Sequence, residues 1–133
     1  MPNDRVVLFV CQHGAAKSVL AGELLTQHAA ALDLPWSARS AGVEPDAAVS
    51  DRLLELFPER AWELAGRQPR RVTAADVGDA SITITFNVAP GELPAPPGEL
   101  LAWDDVPPVS EDPIAARAAI ERHIEALLER LSG

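Results

Sequence analysis

The fold of this chain is constrained most by residues 6–18, which have the sequence Val-Val-Leu-Phe-Val-Cys-Gln-His-Gly-Ala-Ala-Lys-Ser. The first five are apolar and mostly β-branched or aromatic, which predicts a short buried strand of the parallel type. Small residues follow, and Ser18 is a suitable N-cap for a helix that begins near Val19. We therefore predict a strand, a tight loop and a helix in immediate succession.

The loop between this strand and this helix predicts an anion-binding site. Its residues around Gly14 carry almost no side chain, and such a loop at a helix N-terminus directs backbone N–H groups inward. Cys11 lies at the floor, where these N–H groups favour the thiolate, and Lys17 adds a positive charge at the rim. The predicted anion-binding residues are Gln12, His13, Gly14, Ala15, Ala16, Lys17 and Ser18.

Composition limits the classes of partner. The chain has 133 residues, which suits one domain over residues 1–133, and a net charge of −9, which argues against nucleic acid and anionic membranes. One cysteine excludes an internal disulfide and is typical of a reducing compartment, so we expect a cytoplasmic location. No secretory leader or membrane-spanning segment is visible, because the first apolar run ends at Cys11.

Strand and helix patterns alternate along the chain, which predicts an α/β fold of three layers, with a four-stranded parallel sheet flanked by helices. The predicted strands are residues 5–10, 36–41, 80–86 and 100–103. The predicted helices are residues 18–32, a pattern over 47–64 that Pro58 interrupts, one turn capped by Thr73, and a last helix that starts at Asp112-Pro113.

Helical spacing also predicts which side chains face the core. In the first helix these are Leu20, Glu23, Leu24, Gln27 and Ala31. In the last helix they are Ile114, Ala118, Ile120, Ile124, Leu127, Leu128 and Leu131.

The spacing Cys-x5-Lys-Ser resembles the phosphate-binding loop of the low-molecular-weight protein tyrosine phosphatases and the related thiol-dependent arsenate reductases. Their pattern is Val-Cys-x5-Arg-Ser, matched here by Val10, Cys11 and Ser18, with Lys17 in place of the arginine. The resemblance covers nearly the whole chain and implies the fold of these phosphatases. It also implies that Cys11 attacks phosphorus or arsenic and that Ser18 donates a hydrogen bond to its sulfur.

Two downstream motifs extend the resemblance, namely Ser40-Ala41-Gly42 and Trp103-Asp104. Relatives use an aspartate, usually followed by proline, as the general acid after the fourth strand. Alignment on Trp103-Asp104 places Pro107 at that position, so the nearest carboxylate, Asp105, is the predicted acid. Asp112 also precedes a proline but is better explained as a helix cap. Arsenate reduction places less demand on such an acid than ester hydrolysis.

Lys17 is the only lysine in a chain with ten arginines, and it permits two interpretations. Lysine binds phosphate in other sites, so the loop is either a working anion binder or a degenerate one. Arginine grips two oxygens with a planar fork, whereas lysine is a compact point charge. Loss of a transition-state donor costs about a hundredfold in rate, so Lys17 predicts weakened chemistry more than lost binding.

Other residues leave alternatives open. Cys11 taken alone is equally well a small buried hydrophobe. His13 either faces the mouth of the pocket or is a solvated loop residue, and the arginines near residues 67–71 either flank the pocket or are exposed. Gly14, where many relatives have asparagine, is suited to a positive φ. The histidines and Cys11 do not have metal-ligand spacing, so we expect neither a metal nor a cofactor.

Three functional hypotheses follow from these residues. The first is a phosphatase-like or arsenate-reductase-like enzyme of reduced activity, with Cys11 as nucleophile. It would act on phosphate, arsenate or a phosphorylated ligand, and a small-molecule thiol could resolve the reaction, since a single cysteine excludes an internal disulfide shuttle. The second is a non-catalytic oxyanion-binding or regulatory module. The third is a phosphocysteine carrier like the cysteine-bearing domains of sugar phosphotransferase systems.

Overall fold

The computed structural model describes residues 5–132, so residues 1–4 and 133 of the predicted domain lie outside it. Four strands pair in parallel in the order β2-β1-β3-β4, which confirms the predicted four-stranded parallel sheet. The strands are β1 (Val6–Cys11), β2 (Ser37–Gly42), β3 (Ile82–Thr85) and β4 (Glu99–Ala102).

Helices connect the strands as the alternating pattern predicts. They are α1 (Lys17–Ala31), α2 (Asp51–Leu56), α3 (Ala61–Ala65), α4 (Ala74–Asp79) and α5 (Pro113–Ser132), with 3₁₀ turns at Pro58–Arg60 and Pro90–Glu92. Within residues 5–132, no helix combines the length and the apolar character that crossing a bilayer requires. Pro58 separates α2 from α3, which confirms that the predicted helical pattern is interrupted there.

Strand β1 is buried on both faces because helices cover both sides of the sheet. Its alternate residues Val7, Phe9 and Cys11 belong to the larger hydrophobic core, which α1 and α5 also line. Leu8 and Val10 face a smaller core on the other side of the sheet. The continuous apolar run of β1 therefore places Cys11 on the larger-core face, at the carboxyl end of a central strand.

Two helix starts follow from capping chemistry. Thr73 and Asp76 form a reciprocal capping box at α4, with the Asp76 N–H donating to Thr73 Oγ1 over 3.1 Å. The Asp112 carboxylate accepts from the Ala115 N–H over 3.0 Å, so Asp112 caps α5 as expected. Both predictions are confirmed because these contacts are local in sequence.

The predicted core faces of α1 and α5 are wrong in part. Gln27 and Ala31 are exposed on α1, and Ile114 and Ala118 are exposed on α5. The buried stripe of α5 instead consists of Ala116, Ala119, Ile120, Ile124, Leu127 and Leu128. Counting back by four from Ile124 reaches Ile120 and then Ala116, so Ile114 falls off the stripe although it is the larger side chain.

The carboxyl ends of the parallel strands meet at one edge of the sheet. There the Phe86 N–H donates to the Val10 carbonyl over 2.9 Å, and the Trp103 N–H donates to the Thr85 carbonyl over 2.8 Å. The chain segments that follow β1, β3 and β4 are thereby held side by side around the Cys11 sulfur.

Candidate active site

The loop after β1 is shaped by hydrogen bonds to its carbonyl groups. The carbonyls of Cys11, Gln12, His13 and Ala15 accept from the backbone N–H groups of Val43, Glu44, Asp46 and Ser50, over 2.7–3.1 Å. In a trans peptide the N–H of the following residue points opposite to the carbonyl. The amides of residues 12, 13, 14 and 16 therefore point away from the 43–50 segment, and this arrangement makes a cradle for an anion.

The Cys11 sulfur lies on the floor of this cradle. Its Sγ accepts a hydrogen bond from the Gly14 N–H over 3.2 Å and lies 3.2 Å from Ser18 Oγ. Ser18 is not the helix cap that the sequence predicts, since α1 begins at Lys17 with Ala16 as the N-cap residue and no side-chain cap. The hydroxyl is turned to the sulfur instead, so the Ser18 Oγ and the Gly14 N–H are both in contact with Sγ.

Two glycines fix the position of the cradle against β2. Gly14 has φ +61°, as its expected positive φ requires, and a Cβ added to it would lie 2.9 Å from the Gly42 nitrogen. A Cβ on Gly42 would lie 2.5 Å from the Gly14 nitrogen. Ser40 anchors the helix side, because its Oγ donates to the Ser18 carbonyl over 2.9 Å. This contact gives a physical reason for the Ser40-Ala41-Gly42 motif.

A cavity of about 330 Å³ opens above the sulfur. Cys11, Ala15 and Ala16 line its floor, and Asp46 and Ser50 line one side. The facing wall comes from the segments after β3 and β4, and its residues are Phe86, Asn87, Pro108, Val109 and Ser110. Gln12, His13 and Lys17 complete the lining, so all the predicted anion-binding residues except Gly14 and Ser18 border this one cavity.

Lys17 reaches from the start of α1 to the facing wall. Its Nζ donates to Asn87 Oδ1 over 3.2 Å and to the Val106 carbonyl over 2.9 Å. Burial lowers the pKa of the Lys17 ammonium, and the nearby Cys11 and Asp104 charges oppose that shift. The ammonium is therefore at the cavity rim and held by neutral oxygens that an anion could replace.

The wall after β4 does not bring Asp105 into the cavity. The Asp105 carboxylate is exposed, and its Oδ1 lies 2.8 Å from His123 Nε2 on α5. The hydrogen bond from His123 holds the pKa of the Asp105 carboxyl below its usual value, which makes a poor proton donor at neutral pH. His123 in turn stacks on Trp103, with ring centroids 4.6 Å apart.

A family model described as low molecular weight phosphotyrosine protein phosphatase matches residues 6–92, well over half of the chain. The chain belongs to this family. The matched residues include the whole Cys11 loop, the Ser40-Ala41-Gly42 motif and Asn87, whereas the wall after β4 lies beyond the match. None of the curated proteins compared with the chain matches it in sequence.

Solved structures of phosphatases and arsenate reductases have the same fold as this family member. An arsenate reductase from Archaeoglobus fulgidus is 30% identical, with 92% of this chain and 98% of that chain covered and a TM-score of 0.68. The thioredoxin-dependent arsenate reductase Cg_ArsC1' from Corynebacterium glutamicum is 26% identical, with a TM-score of 0.73. That alignment covers 97% of this chain but only 63% of the Corynebacterium chain.

A low molecular weight protein tyrosine phosphatase from T. tengcongensis is 18% identical, with 95% of this chain and 99% of that chain covered and a TM-score of 0.76. At this identity the likeness shows the fold alone.

Sequence reasoning missed the role of Asn87 in this phosphatase-family site. The Asn87 side-chain oxygen accepts the hydrogen bond from Lys17 Nζ. Its backbone N–H donates to Asp104 Oδ1 over 2.7 Å, and its backbone carbonyl accepts from Gln12 Nε2 over 3.2 Å. The side-chain amide of Gln12 also reaches the Glu92 carboxylate, 3.2 Å away. The position of Asn87 in the sequence could have indicated this role, because it follows a buried strand whose carboxyl end meets that of β1.

The basic loop does not border the Cys11 cavity. Arg67 and Arg70 line a separate cavity of about 210 Å³ on the far side of Gly14. Arg70 donates two hydrogen bonds to the Asp76 carboxylate, over 2.7 and 2.9 Å, and Arg71 donates to the Val43 carbonyl over 2.7 Å. These arginines support the segments behind the cradle.

Proposed function

We propose that this protein is a thiol enzyme of the phosphatase and arsenate reductase type, in which Cys11 attacks an oxyanion held in the loop of residues 11–18. The observation that carries the proposal is the environment of the Cys11 sulfur. The sulfur lies at the edge of the larger core, where it contacts the Gly14 N–H and the Ser18 hydroxyl and lines the floor of an open cavity. In the proposed reaction the thiolate form of Cys11 is the nucleophile, since a thiolate and not a thiol attacks an electrophilic centre.

The far wall favours arsenate over a phosphate ester as the substrate. Pro108, Val109 and Ser110 line that wall, and none of them is a carboxylic acid. The phenolic oxygen of phosphotyrosine leaves poorly without a proton, since the pKa of tyrosine is about 10. Arsenate loses only a hydroxide or water, which requires less help. Two of the solved structures, which are 26% and 30% identical to this chain, are named as arsenate reductases, and this supports the same choice.

The reaction balances as follows. The Cys11 thiolate bonds to arsenic and an oxygen leaves as water after taking up a proton, which gives a thiol–arsenate adduct without redox change. A low-molecular-weight thiol then attacks the Cys11 sulfur, and arsenic keeps the electron pair of the broken S–As bond and leaves as arsenite. Cys11 remains as a mixed disulfide with that thiol. A second molecule of the thiol releases Cys11 and forms the small-molecule disulfide.

Lys17 reduces the rate in this proposal without abolishing binding. Its ammonium must leave Asn87 Oδ1 and the Val106 carbonyl to reach the oxyanion. Even then it offers a point charge in place of the fork that spans two equatorial oxygens. We expect Lys17→Arg to raise turnover by about ten- to a hundredfold if the longer side chain fits the cavity.

Arsenite production from arsenate tests this proposal, with 2-mercaptoethanol as the thiol and p-nitrophenyl phosphate hydrolysis as a parallel assay. The wild type is expected to form arsenite at a rate that Cys11→Ser reduces to the uncatalysed background. Ser18→Ala, which removes one contact to the sulfur, is expected to fall between them.

Two other results would replace the proposal. A wild type as slow as Cys11→Ser in both assays, whose melting temperature phosphate still raises, would identify a non-catalytic binding module. A stable phosphate on Cys11 that forms only with a phosphorylated donor protein would identify a phosphocysteine carrier.

A further inference from the structure

The cavity lacks the carboxylic acid that the family places after the fourth strand. Pro107 occupies the aligned position, and Asp105 is bonded to His123 outside the cavity. Among the described residues 5–132, the titratable side chains that line the cavity are Cys11, His13, Lys17 and Asp46. In the proposed reaction Cys11 is the nucleophile and the Lys17 ammonium binds the oxyanion as a charge, which leaves His13, Asp46 or water as the proton donor for the departing oxygen.

The contacts of His13 determine which ring nitrogen is available. Its Nδ1 lies 3.1 Å from the Glu44 carbonyl oxygen and 3.5 Å from Asp46 Oδ1. Both neighbours are acceptors, so the proton of the neutral ring is kept on Nδ1. Within residues 5–132, Nε2 makes no hydrogen bond. Nε2 is consequently the nitrogen that gains and loses a proton.

The backbone holds this pair at the mouth of the cavity. The Asp46 N–H donates to the His13 carbonyl over 3.0 Å, so the two residues are joined through main chain as well as side chain. The His13 side chain is 61% exposed, which gives its ring direct access to water for reprotonation. The ring is thus oriented by fixed acceptors on one edge, and its other edge has no hydrogen bond to any of residues 5–132.

We propose that His13 is the general acid of the Cys11 reaction, with Glu44 and Asp46 as the groups that orient it. The proposal rests on the proposed function. The Nε2–H of the imidazolium gives its proton to the departing oxygen of HAsO₄²⁻ as the Cys11 thiolate bonds to arsenic. Water leaves, neutral His13 remains, and the charge of −2 is the same on both sides. The solvent then returns the proton to Nε2.

The charged groups around His13 are of both signs. The Asp46 carboxylate lies beside the His13 ring, and Cys11 and the Lys17 ammonium border the same cavity. Since the reaction needs the imidazolium, its rate falls on the alkaline side of the pH profile. At saturating arsenate, where the loss of affinity through Lys17 does not limit the rate, a purely structural histidine would not produce this limb.

The test compares His13→Asn with a matched control, His123→Asn. Asparagine can still donate to the Glu44 carbonyl but cannot deliver a proton, and His123 is a partly exposed histidine outside the cavity. In the arsenate assay at saturating arsenate we expect His13→Asn to lower kcat about a hundredfold and to remove the alkaline limb of kcat. We expect His123→Asn to retain the wild-type rate and the alkaline limb. Added imidazole is expected to restore at least a tenth of the lost rate to His13→Ala, since the site is open to water.

The two proposals fail in different ways. A wild-type rate equal to that of Cys11→Ser overturns the proposed function and this role with it. An active wild type whose rate and pH profile are unchanged in His13→Asn overturns the role of His13 alone. The role of His13 is also overturned if His13→Asn lowers the rate equally at every pH and added imidazole does not restore the rate of His13→Ala. A purely structural effect would give these two results. The phosphate-induced rise in melting temperature checks that His13→Asn still folds and binds.

Discussion

The floor and the far wall of the cavity are built differently. The floor, residues 11–18, is held by backbone hydrogen bonds to residues 43–50 and by the close approach of Gly14 to Gly42. The far wall, residues 86–87 and 106–110, meets the floor through side chains, chiefly Lys17 and Gln12 reaching Asn87. The floor can keep its shape when its side chains are substituted, because backbone groups hold it. The wall depends on particular side chains, so a substitution there alters its contacts.

This difference separates binding from proton delivery. Amides that point into the cradle bind an anion whichever side chains the loop carries. Proton donation depends on one group at one place, and in our proposal that group is His13 instead of an aspartate after the fourth strand. A member of this family can therefore retain the anion site while its chemistry is rebuilt from other residues, such as His13. The predictions below test how independent the two regions are.

Gly42→Ala should have the largest effect, because it breaks the floor. A Cβ at this position would lie 2.5 Å from the Gly14 nitrogen and 2.7 Å from the His13 carbonyl carbon. Backbone atoms cannot move aside as a side chain does, so we expect a loss of about 3 kcal/mol in the free energy of unfolding. Phosphate should no longer raise the melting temperature.

Gly78→Ala is the matched control for this change. A Cβ on Gly78 in α4 meets nothing within 4 Å, and alanine is favoured in helices. Urea unfolding should show it unchanged or stabilised by up to about 1 kcal/mol. Equal stability of the two variants would show that the glycine contact does not hold the cradle.

Asp76→Asn tests the support behind the floor. The Arg70 guanidinium holds the pKa of the Asp76 carboxyl below its usual value, and the Arg70 carbonyl accepts from the Gly42 N–H over 2.9 Å. A lowered pKa means that this stabilisation is present above the ordinary carboxyl pKa of about 4 and is lost as the pH falls through the lower folded value. We expect Asp76→Asn to lose about 1–3 kcal/mol at neutral pH.

Urea unfolding at pH values from about 7 down to about 3 measures this dependence. The difference in stability between the wild type and Asp76→Asn should shrink as the pH falls. A constant difference across that range would mean that the carboxylate charge of Asp76 contributes nothing.

Lys17→Arg sharpens the comparison at the point where floor and wall meet. Burial lowers the pKa of Lys17, so the wild type should lose ammonium charge, and with it phosphate affinity, at a lower pH than an ordinary lysine would. Arginine stays charged throughout. Between about pH 7 and pH 10 we expect the wild-type Kd for phosphate to rise roughly tenfold and that of Lys17→Arg to stay nearly constant.

Isothermal titration calorimetry with inorganic phosphate measures both proteins. The ligand carries the same charge at each pH in the two titrations, so only the protein can cause a difference. Parallel curves would place Lys17 outside the anion site.

Asp105→Asn should have the smallest effect. Asp105 is exposed and bonded to His123, so we expect the arsenate rate to stay within about twofold of wild type and stability to change by less than about 0.5 kcal/mol. The assay is the same production of arsenite from arsenate. A loss of a hundredfold would return Asp105 to the role that the sequence assigns to it and would remove the need for His13.

The sequence predicts those parts of the fold that depend on local chemistry. The apolar run of β1, the Thr73 cap of α4 and the Asp112-Pro113 start of α5 each lie within a few residues, and each is found where it is expected. The parallel sheet follows from the alternation of strands and helices. The positive φ of Gly14 was also accessible, because a loop of this type requires it.

The wall could not be predicted, because its contacts join segments far apart in sequence. Asn87 belongs to a loop with four nearby prolines that looked irregular, and only the packed sheet brings it to Lys17. The same is true of the bond between Asp105 and His123, which removes the nearest carboxylate from the cavity. For Ser18, the local pattern alone predicts a helix cap, whereas the family resemblance implies the contact with the Cys11 sulfur that the structure has.

The hydrogen bonds from residues 43–50 to the loop have a consequence for solvent exchange. Glu44 and Asp46 lie on the surface and outside any helix or strand, yet their amides are bonded to loop carbonyls. Their deuterium uptake should therefore be as slow as that of a strand, although they never touch the anion. Slow uptake at these two surface positions would report, residue by residue, whether the cradle is assembled in solution.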